Sequence, residues 1–263
     1  MKRIRLFLIF TFTVTFITHG LLLYLLRNNI IGFYHIGGIF LYSIGGISPT
    51  FFALYLIFIK EDKTTQQTFI TSLIKSNDSY IYWLFATFLP LILGLFFVFQ
   101  YTLQHQINFS LDTAWYMFIP IFLYSIFVGG LEEIGWRGYL QEKLRFKLQP
   151  LTIGIIIGVL WAAWHLPLLF MSSRNATFID ILPFLLGFFM FNLYLTWLYD
   201  KTRNLLLTIL FHASINATRR VTGFRRIIEG SFTEYLLIAT LILIGLWMLL
   251  RLNHTNKKTI QKA

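Results

Sequence analysis

Eight blocks of apolar sequence, each close to the length that crosses a bilayer, follow one another along this chain with short polar joints between them. About 20 predominantly apolar residues span the hydrocarbon core as an α-helix. Backbone N–H and C=O groups find no water there, so a spanning segment of this kind must satisfy them internally, as a helix does. The blocks predict helices over residues 6–26, 37–59, 80–100, 114–140, 152–172, 179–199, 204–218 and 232–251. The expected fold is all-α: a polytopic membrane helix bundle of about eight transmembrane helices. It fills a single integral membrane domain, 1–263, and leaves no stretch for a separate soluble unit. Composition agrees, since only 13% of residues are charged, against about 25% in soluble domains.

The joints carry the orientation. With the N-terminus inside, the cytoplasmic segments are 1–5, 60–79, 141–151, 200–203 and 252–263, and they hold fourteen of the 22 Lys and Arg residues. The opposite loops hold Arg27, Arg174 and the cluster Arg219, Arg220, Arg225 and Arg226. This balance places both termini in the cytoplasm. It also accounts for the net charge of +11 without a nucleic-acid partner. The arginine cluster runs against the rule and marks the seventh helix as the weakest part of the topology. The basic start and apolar run of "MKRIRLFLIFTFTVTFITHG" resemble a signal peptide, but the run continues to Leu26 with no small-residue cleavage site, and is read as a retained span. The polar 60–79 joint has an amphipathic middle and reads as interfacial. No cysteine is present, which excludes disulfides, thiolate catalysis and Cys-bound metals.

Against this background "GLEEIGWRGYL", residues 130–140, is costly. It ends a long apolar run with Glu132, Glu133 and Arg137, and ionised groups inside a span mark functional sites by default. Glu133 and Arg137 are four apart and pair on one helical face. On a regular helix Glu132 is turned about 100° from Glu133, so it faces elsewhere, into the bundle, and the two carboxylates can take different roles. Gly129 and Gly130 allow close approach of another helix or a substrate backbone. Helix five carries His165 in "WAAWHLPLLF", and helix seven carries His212 and Asn216, again four apart, in "LFHASINA". At 1.5 Å per residue Glu132 and His212 both lie about 12 Å from the cytoplasmic ends of their helices, and His165 about 20 Å. Pro167 removes a backbone donor, and the kink it favours repositions His165 and opens a hydrated cavity. Taken singly, Glu133–Arg137 reads as structural, Asn216 as interhelical glue, and Trp161 and Trp164 as packing. Their joint occurrence on three helices points to chemistry.

"EEIGWR" fits Glu-Glu-x-x-x-Arg, "WAAWH" an aromatic-x-x-x-His helix, and "HASIN" His-x-x-x-Asn. In this order on successive apolar helices, over about residues 114–220, they resemble the CAAX protease and bacteriocin-processing (CPBP, or Abi) family of intramembrane endopeptidases. The resemblance implies a glutamate-dependent peptidase without cofactor or metal. Glu132 is the general base on a water, His165 helps to hold or deprotonate it, His212 and Asn216 donate to the oxyanion, and Glu133 and Arg137 order the site. The implied partner is a peptide or membrane-protein substrate within the lipid bilayer. A bacterial plasma membrane is the expected location, since eukaryotic targeting features are lacking.

Three alternatives compete. A zinc protease could draw on Glu132, His165 and His212, though no HExxH-type spacing is present. A non-proteolytic scaffold or bacteriocin-immunity protein would not need these residues. A transporter predicts polar residues in further helices, and the first three and the last show almost none.

Overall fold

The computed structural model describes residues 2–75, 77–172, 178–223 and 232–260. All regular structure among them is helical. Seven helical segments are long and apolar enough to cross a membrane, and large side chains such as Phe51 and Phe127 stand exposed on the outside of the bundle, as expected of an integral membrane protein facing lipid.

Helix α1 (Lys2–Arg27) pairs with α2 (Ile36–Tyr55), which widens into a π turn at Leu56–Lys60. The 60–79 joint contains α3 (Lys63–Ile74), capped by Asp62, whose carboxylate accepts from the Thr65 amide at 2.7 Å. Helix α4 (Tyr80–His105) follows.

The fourth span differs from the continuous helix expected over 114–140. Helix α5 (Phe118–Phe127) stops, a 3₁₀ turn occupies Gly130–Glu132, a π-helix runs Ile134–Gln141, and α6 is the short Glu142–Arg145. The break sits at Gly129, whose φ of +116° is a conformation few residues other than glycine adopt. The depths calculated from a uniform rise therefore do not apply to Glu132. The fifth span is also divided, into α7 (Pro150–Trp164) and α8 (Leu166–Ser172), with His165 at the joint two residues before Pro167. This is the kink the proline predicts.

Helix α9 (Phe178–Thr202) packs on α7, and α11 (Phe232–Ile260) on α9. Helix α10 (Leu205–Thr222) is the seventh block. It runs four residues past the expected end, so Arg219 and Arg220 lie in its last turn; Arg174, Arg225 and Arg226 lie outside the described residues. It falls short of the seven apolar spans because Thr208, His212, Ser214, Asn216 and Thr218 interrupt it, and it can carry them because it sits inside, against α4, α5 and α9. Asn204 caps it, accepting from the Leu207 amide.

Helix α1 is less bare of polar groups than its hydropathy suggests. The Thr15 hydroxyl bonds the Gly45 carbonyl and accepts from the Trp164 indole, both at 2.8 Å, and His19 is buried against the Tyr42 carbonyl at 3.1 Å. These bonds tie α1 to α2 and α7, the interhelical use such groups have in membranes.

Candidate active site

The break in the fourth span, the joint in the fifth and the middle of α10 meet in the bundle interior. Glu133 and Arg137 form the expected i,i+4 pair at 3.1 Å, both side chains fully buried. Arg137 also donates to Asn192 of α9 at 2.8 Å, and Asn192 donates onward to the Gly154 carbonyl of α7 at 2.7 Å. The other oxygen of Glu133 accepts from His212 Nδ1 at 2.7 Å. Glu133 thus links the π-helix to α10, and through Arg137 to α9 and α7.

Glu132 has the different environment its position suggests. Its side chain is 12% exposed, and Oε2 lacks a hydrogen-bond partner among the described residues. That oxygen lies 3.8 Å from His165 Nε2. His165 Nδ1 is 2.8 Å from the Trp161 carbonyl. A carbonyl only accepts, so Nδ1 carries the hydrogen, and in the neutral ring the Nε2 lone pair faces Glu132.

The geometry groups the six residues as a pair, a trio and a clamp. Glu132 faces His165, Glu133 holds His212 and Arg137, and Asn216 lies one turn along α10 from His212. Asn216 Nδ2 donates to the Val128 carbonyl at 3.4 Å, at the break itself. A side chain on Gly129 would strike Asn216 Nδ2 and approach His212 Nε2 to 3.2 Å. Close approach is thus the role of this glycine, and Gly130 does the same against the Ile209 backbone.

Several contributors were not singled out by sequence. Trp161 stands edge-to-face to both histidine rings, 4.8 Å from His165 and 5.4 Å from His212, and under the Arg137 guanidinium at 5.6 Å. Phe188 stacks on His165 at 4.0 Å, and the Arg219 guanidinium lies over the Phe188 ring at 5.7 Å. Thr50 of α2 donates to the Leu131 carbonyl at 2.6 Å, fixing the 3₁₀ turn that carries Glu132. Asn192 had a signal, being a lone amide within an apolar span; Trp161 had none beyond its aromatic character. Among the described residues, no group of three or more His, Asp or Glu side chains is arranged to hold a metal ion.

Comparison with known proteins is consistent with this arrangement. Residues 113–218 match the family described as type II CAAX prenyl endopeptidase Rce1-like, a segment that contains all six predicted site residues. The chain is also similar to the protein named CAAX prenyl protease 2 of Methanococcus maripaludis, 29% identical over 154 residues, which is 55% of this chain and 55% of the relative. It therefore spans about half the length of the curated relative it matches. Over this matched core, which includes the broken fourth span, the kinked fifth span and the polar α10, the chain is similar to the type II CAAX prenyl endopeptidases.

Proposed function

We propose that this chain is an intramembrane endopeptidase in which Glu132 activates water against a peptide carbonyl. The observation that carries the reading is the 3.8 Å gap between Glu132 Oε2 and His165 Nε2. It is too long for a hydrogen bond and is spanned by one water at about 2.8 Å from each atom. Glu132 takes one proton from that water while His165 Nε2 orients it. The hydroxide adds to the carbonyl, and the tetrahedral intermediate collapses as the proton passes from Glu132 to the departing amine, leaving an acid and an amine.

His212 and Asn216 hold the oxyanion. With Nδ1–H donated to Glu133, His212 donates to the oxyanion from Nε2 as the doubly protonated ring. Asn216 has one N–H on Val128 and a second to offer. Donors of this kind are worth about 3 kcal/mol each. The substrate is a membrane-associated peptide or protein, the location a bacterial plasma membrane, and both termini are cytoplasmic, with α10 completing an even number of crossings.

Membranes from cells carrying the wild-type chain and Glu132→Ala, compared by mass spectrometry of protein N- and C-termini, test this reading. Uncut precursors accumulate only with Glu132→Ala, and cleavage persists with a chelator present. Identical termini in both membranes would leave the scaffold or immunity reading, and chelator-sensitive cleavage the zinc one. Gly129→Ala probes the clamp. Its methyl group displaces Asn216 and strains the backbone at this positive φ, and because a shift of about 1 Å at a reacting centre costs about 100-fold, turnover of those precursors is expected to fall by that order. Unchanged turnover would remove Asn216 from the reaction.

A further inference from the structure

At the end of the bundle where α1 begins and α6 ends, a cleft of about 530 Å³ opens beside the π-helix. Four cations surround it: Lys2 and Arg3 from α1, Lys143 from α6, and Lys147 from the turn that follows. The carboxylate in its lining is Glu61, and Asp62 beside it also feels Lys143 and Arg3. Glu61 is almost buried and accepts Arg3 at 2.7 Å and Lys143 at 2.8 Å. The local balance therefore stays positive after the ion pairs have formed, and Lys2 and Lys147 have no ion pair among the described residues. The cleft is not simply polar. Ile4 and Leu148 form part of its wall, and the Phe146 ring stands 78% exposed at its rim.

We propose that this cleft binds an anionic phospholipid, with its phosphate between Lys2 and Lys147 and its acyl chains over Ile4, Leu148 and Phe146. A phosphate bears the charge that offsets the surplus cations, and Arg3 and Lys143 are already held in place by Glu61 to share it. The apolar wall distinguishes a lipid from a free anion, because inorganic phosphate would leave Phe146 and Ile4 in water. The level is also right. The cleft lies where the apolar span of α1 gives way to its basic end, and basic pockets between transmembrane helices at that depth take phospholipid headgroups. An occupied cleft joins the start of α1 to Tyr139, which follows Arg137 on the π-helix and packs on Phe7 with ring centres 5.3 Å apart.

The test uses the purified full chain in vesicles of equal parts phosphatidylglycerol and phosphatidylcholine, with the lipid retained by the protein measured by native mass spectrometry. The wild-type chain retains phosphatidylglycerol preferentially. Each basic side chain near an anionic headgroup is worth about a fivefold change in affinity, so Lys2→Gln with Lys147→Gln lowers the preference about 25-fold. The exposed pair Lys63→Gln with Lys201→Gln leaves it unchanged. No preference in the wild-type chain, or equal loss in the two double variants, would overturn the proposal. Displacement of the lipid by excess inorganic phosphate as readily as by phosphatidylglycerol would also overturn it, in favour of a free-anion site.

Discussion

Arg137→Ala is expected to destabilise the folded chain by about 3–5 kcal/mol, the usual effect of removing one partner of a buried ion pair. The guanidinium is fully buried, pairs with Glu133, donates to Asn192 and lies beside Trp161. Its removal leaves the buried Glu133 charge with only His212 and loosens α9 from the π-helix, which then keeps the Gln141–Thr196 hydrogen bond. Membrane abundance and thermal stability in detergent should both fall, and Glu133→Gln should lower them by the same route. Substituting both, Glu133→Gln with Arg137→Gln, should cost less than the two single changes added, because no lone charge is left behind. Arg137→Ala protein of wild-type abundance and stability, defective only in cleavage, would contradict the structural role of the pair.

Glu132→Gln should do the opposite. Cleavage falls by about 10²–10⁴, the range attributed to a positioned general base, while abundance and thermal stability stay at wild-type levels. The reason is local. Glu132 Oε2 has no hydrogen bond among the described residues to lose, its side chain keeps some exposure, and the amide has the same shape. Two adjacent glutamates thus give opposite phenotypes, one in rate and one in stability. Equal effects of Glu132→Gln and Glu133→Gln on abundance would show that the division of roles between them is wrong.

The sequence was most legible where chemistry and periodicity coincide. The apolar blocks set the all-α membrane bundle. The four-residue spacing of Glu133 and Arg137 gave the buried pair, and Pro167 marked the joint at which His165 sits. His212 and Asn216 share a face of α10 as their spacing requires. Hydropathy hid the break in the fourth span, because Gly129 and Gly130 cost little on an apolar scale although Gly129 alone permits the positive φ. With the helix broken, an axial rise could not place Glu132, and which glutamate His212 would meet was beyond reach: it bonds Glu133, not Glu132. Trp161 was invisible for another reason. A tryptophan in a span reads as packing, and its place between two imidazoles is fixed only when α7 and α10 come together. α10 itself was a borderline span on hydropathy because the polar residues that lower its score are the ones it buries at the centre.

The most direct measurement is the cleavage rate of the purified, vesicle-reconstituted protein on a precursor that accumulates with Glu132→Ala. Wild-type chain and Glu132→Gln are compared at matched folded amounts, each with and without a chelator. The wild-type rate should persist with chelator, and the Glu132→Gln rate should be at least about 100-fold lower. A Glu132→Gln protein that cuts within a few-fold of wild type would contradict water activation by this carboxylate.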